Sequence, residues 1–492
     1  MADDQIEARK AKRDLLRSLG HQAYPDRWQR THTLEEARPL AEGTDGISVA
    51  GRVVARREIG KKLVFLTLQD RSGRMQVAFR AGTLPDADLD LMRKTLDVGD
   101  FLGVLGKHWI TKTGEPTIDA TGVRILAKGL RPLPEKWAGV TDRETCYRQR
   151  YLDLLTNDET RARFRLRTKL VRTIREHLDR HGFEEVDTPV LQTKASGALA
   201  KPFLSHHNAL DMEVTLRIAP ETWLKRLLVG GYERVYEFAR CFRNEGMDPS
   251  HLQDFTMLEY YVAYWSYEEN MDFTESLVKH AVESCVGSLK VSRPGPDGAA
   301  GGGVELDFGG TWPRRRITDL IQEKTGVDVL RDRDPASLRA WVRDHGHWDD
   351  DVATMSWGSL VDHVYKKTVR PHLIQPTFIV GHPSELSPLA RRNDADPSVT
   401  DRFQLVVNTW EIVNADSELV DPEDQRKRFE DQAAARAGGD EEAMPTDEDY
   451  LLCMEYGMPP TSGWGMGIDR VVTLLTGQDN LRDSVLFPLM RP

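Results

Sequence analysis

Cysteine is scarce. Only Cys146, Cys241, Cys285 and Cys453 occur in 492 residues, at spacings that make neither a paired metal knuckle nor a dense disulfide frame. Reduced thiols and a cytoplasmic location are therefore expected. Also missing is any run near the ~20 apolar residues that span a bilayer, so no membrane partner is expected, and the acidic opening MADDQ does not read as a signal peptide. Basic residues are outnumbered 67 to 78, for a net charge of −11. That balance opposes indiscriminate coating of polyanions but leaves room for a local nucleic-acid site. No Ser-His-Asp or Cys-His arrangement calls for a covalent enzyme intermediate. What is present, 39% hydrophobic and 29% charged residues, suits a folded protein of two or more domains.

Residues 3–19 read as a short amphipathic helix ending at Gly20, with Leu15, Leu16 and Leu19 on its apolar side. They belong to an N-terminal extension over 1–47. From Ser48 the pattern changes to short runs of period two, SVAGRVVARR, LVFLTLQDRSGRMQVAF, DFLGVLGKHWITKTG and PTIDATGVRILA, with turns at Gly73 and Gly114. Over 48–135 these read as a small closed β-barrel, an OB-fold. Residues 51–140 carry 16 basic and 10 acidic side chains, so this stretch is +6 and the remainder −17. Arg56, Arg57, Phe65, Gln76 and Glu115 are candidates for holding single-stranded nucleic acid. A purely structural barrel with Phe65 in its core accounts for the same residues.

A linker is expected over 136–150, before a long α+β remainder over 151–492. Within that remainder a helix stops at Gly182, FEEVDTPVL reads as a strand closed by Pro189, and Pro220 opens a helix over ETWLKRLLVGG. GYERVYEFARCFRNE and QDFTMLEYYVAYWS read as strands. An insertion is expected around 268–375, containing a helix over 268–290 and the flexible excursion VSRPGPDGAAGGG. RFQLVVNTWEIVN, two helices and SGWGMGIDRVVTLLTG complete the chain.

Three constellations carry chemistry. If QDFTMLEYYVAY is extended, Phe255, Met257, Glu259 and Tyr261 share one face, and a carboxylate among such neighbours needs a cation or donors. Arg243 and Glu245 share a face of the preceding strand; an ordinary cross-strand ion pair is the competing account. Gly463, Gly465 and Gly467 precede Arg470 in the first turn of a helix, an arrangement suited to phosphate or simply to tight packing. The spacing is neither that of a dinucleotide fingerprint nor of a P-loop. EIVNADSEL sets Glu411, Asn414 and Glu418 within eight residues, for a divalent ion, a substrate ammonium or merely a solvated loop.

In this order the motifs resemble a class II aminoacyl-tRNA synthetase, and specifically the lysyl enzyme of the bacterial type. GFEEVDTPVL resembles the first class motif, FRNEGMDPSHLQDFTMLEYYVAY the second and GMPPTSGWGMGIDR the third. YRQRYLDLL, KPFLSHHNAL, LRIAPETWLKRLLVGG, HLIQPTFIVGHPSELSPLARRND and DPEDQRKRF favour the lysyl subtype. The resemblance implies an OB barrel that reads the anticodon and an antiparallel catalytic sheet flanked by helices, in a homodimer. It implies activation of lysine with ATP and Mg2+, then transfer to the 3′ end of tRNA. By resemblance Arg243, Glu245, His251, Phe255, Glu411 and Arg470 bind ATP, with Arg243 and Arg470 catalytic; Glu411 and Gln404 take the metal. Gly197, Glu221, Glu259, Tyr261, Asn414, Asp416 and Glu418 take the amino acid. Arg56, Arg57, Phe65, Gln76 and Glu115 take the anticodon.

The match has departures. Ala195-Ser196-Gly197-Ala198 stands where two glycines precede an alanine, and Leu252 removes an amide from the motif-two loop. Gln404 replaces a glutamate that helps bind magnesium. Val413 replaces a glycine, and Ala415-Asp416 replaces glycine and phenylalanine. The loss of one carboxylate at Gln404 is expected to weaken divalent binding. Two further functions follow from these departures: a related enzyme adenylating another basic or β-amino acid, and a non-catalytic RNA-binding paralogue.

Overall fold

The structure, a computed structural model, describes residues 2–134, 140–198, 200–293, 303–353, 355–437 and 446–491. Most of the glycine-rich excursion and part of the expected linker lie outside these. Two compact units divide the chain, Met1–Thr141 and Asp142–Pro492.

The first unit is a five-stranded closed barrel. Its strands run in the order Ile47–Ile59, Leu63–Gln69, Arg74–Arg80, Pro116–Ala127 and Phe101–Ile110. Alternation decides what each strand buries: Val64, Leu66 and Leu68 enter the core while Phe65 and Thr67 turn outward. The helix Ala2–Ser18 is tied down by Lys12 to Asp97 at 2.6 Å and by Arg9 to the Gly129 carbonyl at 2.9 Å. Of the three leucines expected on its apolar side only Leu16 is buried; Leu15 and Leu19 are exposed, because a single helical turn meets the barrel core.

The second unit is built on an eight-stranded sheet. Its order is Arg314–Arg316, Thr377–Val380, Arg402–Val407, Trp410–Ser417, Thr461–Gly467, Asp254–Ala263, Arg234–Phe242 and Glu184–Glu185. The inner pairings are antiparallel but both edges are parallel, which corrects the expectation of an antiparallel sheet. Each edge strand reaches its neighbour through a long crossover containing helices, and such a crossover delivers a parallel strand. FEEVDTPVL contributes the two-residue edge strand Glu184–Glu185 and, at its last residue, the start of a separate short strand Leu191–Gln192, not one strand running to Pro189.

One face of this sheet is the core. The helices Asp158–Arg180 and Tyr267–Val286 pack there through Leu170, Ile174, Met271, Phe273 and Leu277, and Tyr260 stacks on Trp464 with ring centres 4.6 Å apart. Tyr267–Val286 thus belongs to the central core, although it falls in the stretch expected to be an insertion. The helices Ile317–Thr325, Pro335–Asp344 and Trp357–Thr368 share a separate core with Ile379 and Val406. A further helix, Arg143–Arg148, begins inside the segment expected to be a linker, capped by Asp142 accepting from the Thr145 amide.

Candidate functional site

The opposite face of the sheet carries a trough. Along Thr461–Gly467 the residues on this side are Gly463, Gly465 and Gly467, which raise no side chains between the neighbouring strands. Asn414 and Glu259 flank Gly465 in one cross-strand row; Asp416 and Tyr261 flank Gly463 in the next. Facing walls two strand spacings apart leave a floor about 10 Å wide. The space at Gly463 is required, since a Cβ there would collide with Glu418 Oε1 and with the Tyr261 ring.

The trough opens into a cavity of about 550 Å³. It brings together Gly197, Glu221, Arg243, Glu245, His251, Phe255, Glu259, Tyr261, Glu411, Asn414, Asp416, Glu418 and Arg470, every adenylation-site residue named from the sequence except Gln404. Gln404 stands just behind, its Nε2 donating to Glu411 Oε2 at 2.6 Å. Leu252, one of the departures, also lines the cavity.

The distal end is acidic and buried. Glu259 and Glu418 are buried, with the Tyr261 hydroxyl donating to Glu259 Oε2 at 3.1 Å. Burial, with the charge of Glu221, pushes the Glu259 carboxyl up to about 8. Burial also raises Asp416 and Glu418, against the pull of Lys225. Lys225 is fully buried, its Nζ 2.5 Å from Glu221 Oε1 and in close ion contact with Glu418 Oε2. Burial works to lower its pKa, but Glu221 and Glu418 hold it well above the ordinary lysine value. Sequence reasoning missed this lysine; the signal was its i,i+4 spacing from Glu221 on the helix Glu221–Val229. Gly197 has φ +88, and a Cβ there would come within 2.8 Å of Glu221 Cβ, so glycine lets this loop lie against the helix start.

The proximal end is cationic. Arg243 lies over Phe255, 5.1 Å from the ring centre, and Arg470 Nη1 donates to the Glu411 carbonyl at 2.8 Å. Arg243 and Glu245 are not on the strand Arg234–Phe242, as expected, but just beyond its end. Regular pairing stops at Phe242 with Asp254, and the GMDPSHLQD loop diverges after the Arg243 amide donates to the Gln253 carbonyl at 2.9 Å. His251 is exposed at the rim, held by Asp248 at 2.6 Å. Asp469 accepts from Arg167 at 2.6 Å and from the Thr256 amide at 2.8 Å, which fixes the helix Ile468–Leu475 and with it Arg470. Lys366, Arg370 and Arg402 add positive charge to the lining and were not anticipated.

Among the described residues no group of three or more His, Cys, Asp or Glu side chains could hold a metal. Glu411 and Gln404 together offer a carboxylate and an amide oxygen. That donor set fits a magnesium ion that keeps waters and takes its remaining ligands from substrate phosphates.

On the barrel, Phe65 and Trp109 lie parallel on the outer face with ring centres 6.4 Å apart. Arg57 covers Phe65 at 5.4 Å and Arg80 covers Trp109 at 5.0 Å. Gln76, paired across from Thr67 and Thr117, belongs to the same face. Glu115 is exposed at the end of this surface, 3.8 Å from Arg38. Arg56 is separated from the set. It points to the other side, donating to the Leu96 carbonyl at 2.6 Å and meeting Glu58 at 2.5 Å, because neighbouring residues on a strand face opposite ways. Trp109 was overlooked although it alternates with Lys107 in the quoted run.

Residues 142–491 match the family described as tRNA synthetases class II (D, K and N), and residues 47–126 match the OB-fold nucleic acid binding domain. The chain is 46% identical to a lysine–tRNA ligase of Carboxydothermus hydrogenoformans, over 99% of this chain and 98% of that protein. It is 44% identical to one of Enterococcus faecalis, over 99% and 98%, and 43% identical to one of Escherichia coli, over 98% and 96%.

Proposed function

Because the chain belongs to the class II tRNA synthetases of the D, K and N group, we propose that it activates lysine with ATP and transfers the lysyl group to the 3′ end of tRNA. The observation that carries this reading is one cavity with a buried acidic end and a cationic end. The first suits an amino acid with a second ammonium; the second suits the phosphates of ATP.

In the first step the lysine carboxylate attacks the α-phosphorus and pyrophosphate leaves. Negative charge spreads over the phosphorus oxygens in the transition state, so fixed cations do more than a general base. Arg243 faces that phosphate, Arg470 holds the departing end, and Phe255 stacks on adenine while Glu245 and His251 contact the nucleotide. Glu411 with Gln404 would hold magnesium, which supplies charge neutralisation on the phosphates. Gly197 and Glu221 meet the α-ammonium; Glu259, Tyr261, Asn414, Asp416 and Glu418 enclose the side chain. In the second step a terminal ribose hydroxyl needs only orientation against the activated carbonyl.

The outer face with Phe65, Trp109 and Arg57 supports anticodon binding by stacking, with Gln76 and Glu115 beside it. A homodimer is proposed from the resemblance to the family; the exposed side chains Tyr151, Leu191, Leu204 and Phe487 are available to such an interface. No disulfide joins the four cysteines, in keeping with a reducing cytoplasm, and no described helix is long and apolar enough to cross a membrane.

The test is amino-acid-dependent pyrophosphate exchange against the twenty standard amino acids, ornithine, β-lysine and hydroxylysine, followed by charging of lysine tRNA. Lysine is expected to give the strongest exchange. Exchange with another basic amino acid alone would replace lysine by that substrate, and none with any amino acid would overturn the reading. Arg243→Ala should abolish exchange in a folded protein.

A further inference from the structure

Asp416 differs from the other carboxylates of the trough. Glu221 and Glu418 share the Lys225 ammonium, and Glu259 receives the Tyr261 hydroxyl. Asp416 lines the cavity, yet its Oδ1 is buried with no hydrogen-bond partner. The charges of Lys225, Arg402 and Arg428 act on it, but none of the three forms a hydrogen bond or close ion pair with it; Lys225 is held by Glu221 and Glu418, and the guanidinium groups bond other partners. Arg402 donates to Asn414 Oδ1 at 2.8 Å, to Ser387 Oγ at 2.8 Å and to the Leu386 carbonyl at 3.1 Å. Arg428 donates to the Ala390 carbonyl at 2.7 Å and to Asp424 at 3.0 Å. Among the described residues Asp416 has no ion pair. Nearby positive charge offsets part of the cost of burying this carboxylate, but an oxygen without a donor stays costly until a donor arrives to meet it.

Its place says what arrives. Asp416 and Tyr261 flank Gly463, the row next to Glu418 and farthest along the trough from Arg470. A substrate whose carboxylate reaches Arg243 and whose side chain runs along the glycine floor ends in this row. We infer that Asp416 is a specificity-determining residue: its unpaired carboxylate accepts from the distal cation of the amino acid, beside a Glu418 already shared with Lys225. The substrate class it selects is a dibasic amino acid ending in an ammonium, whose three N–H donors allow one for Asp416 in addition to Glu418 and Tyr261. This rests on the amino-acid-activating reading above and deepens it.

The experiment compares lysine with 6-hydroxynorleucine, in which a hydroxyl replaces the ammonium, in pyrophosphate exchange by the full-length parent, Asp416→Asn and Asp416→Ser. Asparagine keeps the shape and removes the charge. KM for lysine is expected to rise at least about tenfold, the size of a lost charge-assisted hydrogen bond, with kcat within about threefold. KM for 6-hydroxynorleucine should change by less than about twofold, and Asp416→Glu should recover part of the preference. The serine variant reads the same ratio should the amide disturb folding. An active parent whose variants keep the lysine KM, or lose both substrates equally, overturns this inference alone. A parent with no lysine-dependent exchange overturns the reading beneath it as well.

Discussion

Glu259 illustrates how surroundings set the chemistry of one side chain. Its carboxyl rises from 4.5 to about 8, first through burial and then through Glu221. In the unfolded chain the group ionises above its ordinary value, whereas in the folded protein it keeps its proton to about 8. Folding stability contributed here is therefore lost as pH rises through that window. Glu259→Gln should flatten the fall of the thermal midpoint between pH 5 and 8, followed by differential scanning calorimetry. A cationic substrate favours the ionised form, so KM for lysine should decrease as pH rises from about 6 to 8, by at most about tenfold per unit, and this slope should shrink in the glutamine variant. Arg217 and Glu237 give a second residue-scale expectation. Arg217 Nη1 sits 2.5 Å from Glu237 Oε1, both buried, while Arg217 Nε donates to the Arg240 carbonyl at 2.8 Å. Arg217→Ala leaves a buried charge unpaired and should cost about 3–5 kcal/mol in denaturant unfolding.

At the scale of elements, three strands make the trough, and a glycine strand between two functional ones is what keeps it open. The two flanked glycines are not equivalent. A Cβ at Gly465 would lie 3.6 Å from Glu259 Cγ, ordinary contact, whereas one at Gly463 would strike Glu418 and Tyr261. Gly463→Ala should lower lysine-dependent exchange by roughly a hundredfold or more and destabilise the fold by about 1–3 kcal/mol. Gly465→Ala should do much less to either. Exchange rates and urea midpoints of the two variants check the contrast. The period-two pattern of QDFTMLEYYVAY was enough to foresee the shared face of Phe255, Met257, Glu259 and Tyr261. The edge pairings were not foreseeable, because a two-residue strand such as Glu184–Glu185 has no period of its own.

For the whole molecule, the separation of charge between a basic barrel stretch and an acidic remainder corresponds to two compact units. On the proposed function, stacking of bases on Phe65 and Trp109 and activation of the amino acid belong to different units. Phe65→Ala and Trp109→Ala should each weaken tRNA charging by about 1–3 kcal/mol of binding while leaving pyrophosphate exchange within about twofold. Charging at subsaturating tRNA, measured beside exchange on the same preparations, tests the division. Loss of exchange in either variant would count against it.

The sequence by itself determined several elements and one shared face: the strands of a small barrel, a helix over most of Tyr267–Val286, and the side of QDFTMLEYYVAY that holds Phe255, Met257, Glu259 and Tyr261. Those follow from short-range periodicity and turn chemistry, which a chain carries locally, whereas Gly197, Glu221, His251 and Asp416 came to attention only through the resemblance of the motifs to the synthetase family. Only the tertiary structure decided how charges meet. That Lys225 sits between Glu221 and Glu418, that Gln404 donates to Glu411, that Arg56 leaves the barrel's aromatic face and that Asp416 stays unpaired all depend on distances between segments far apart in the chain. Electrostatic energy varies with separation and burial, and neither is written in the order of residues.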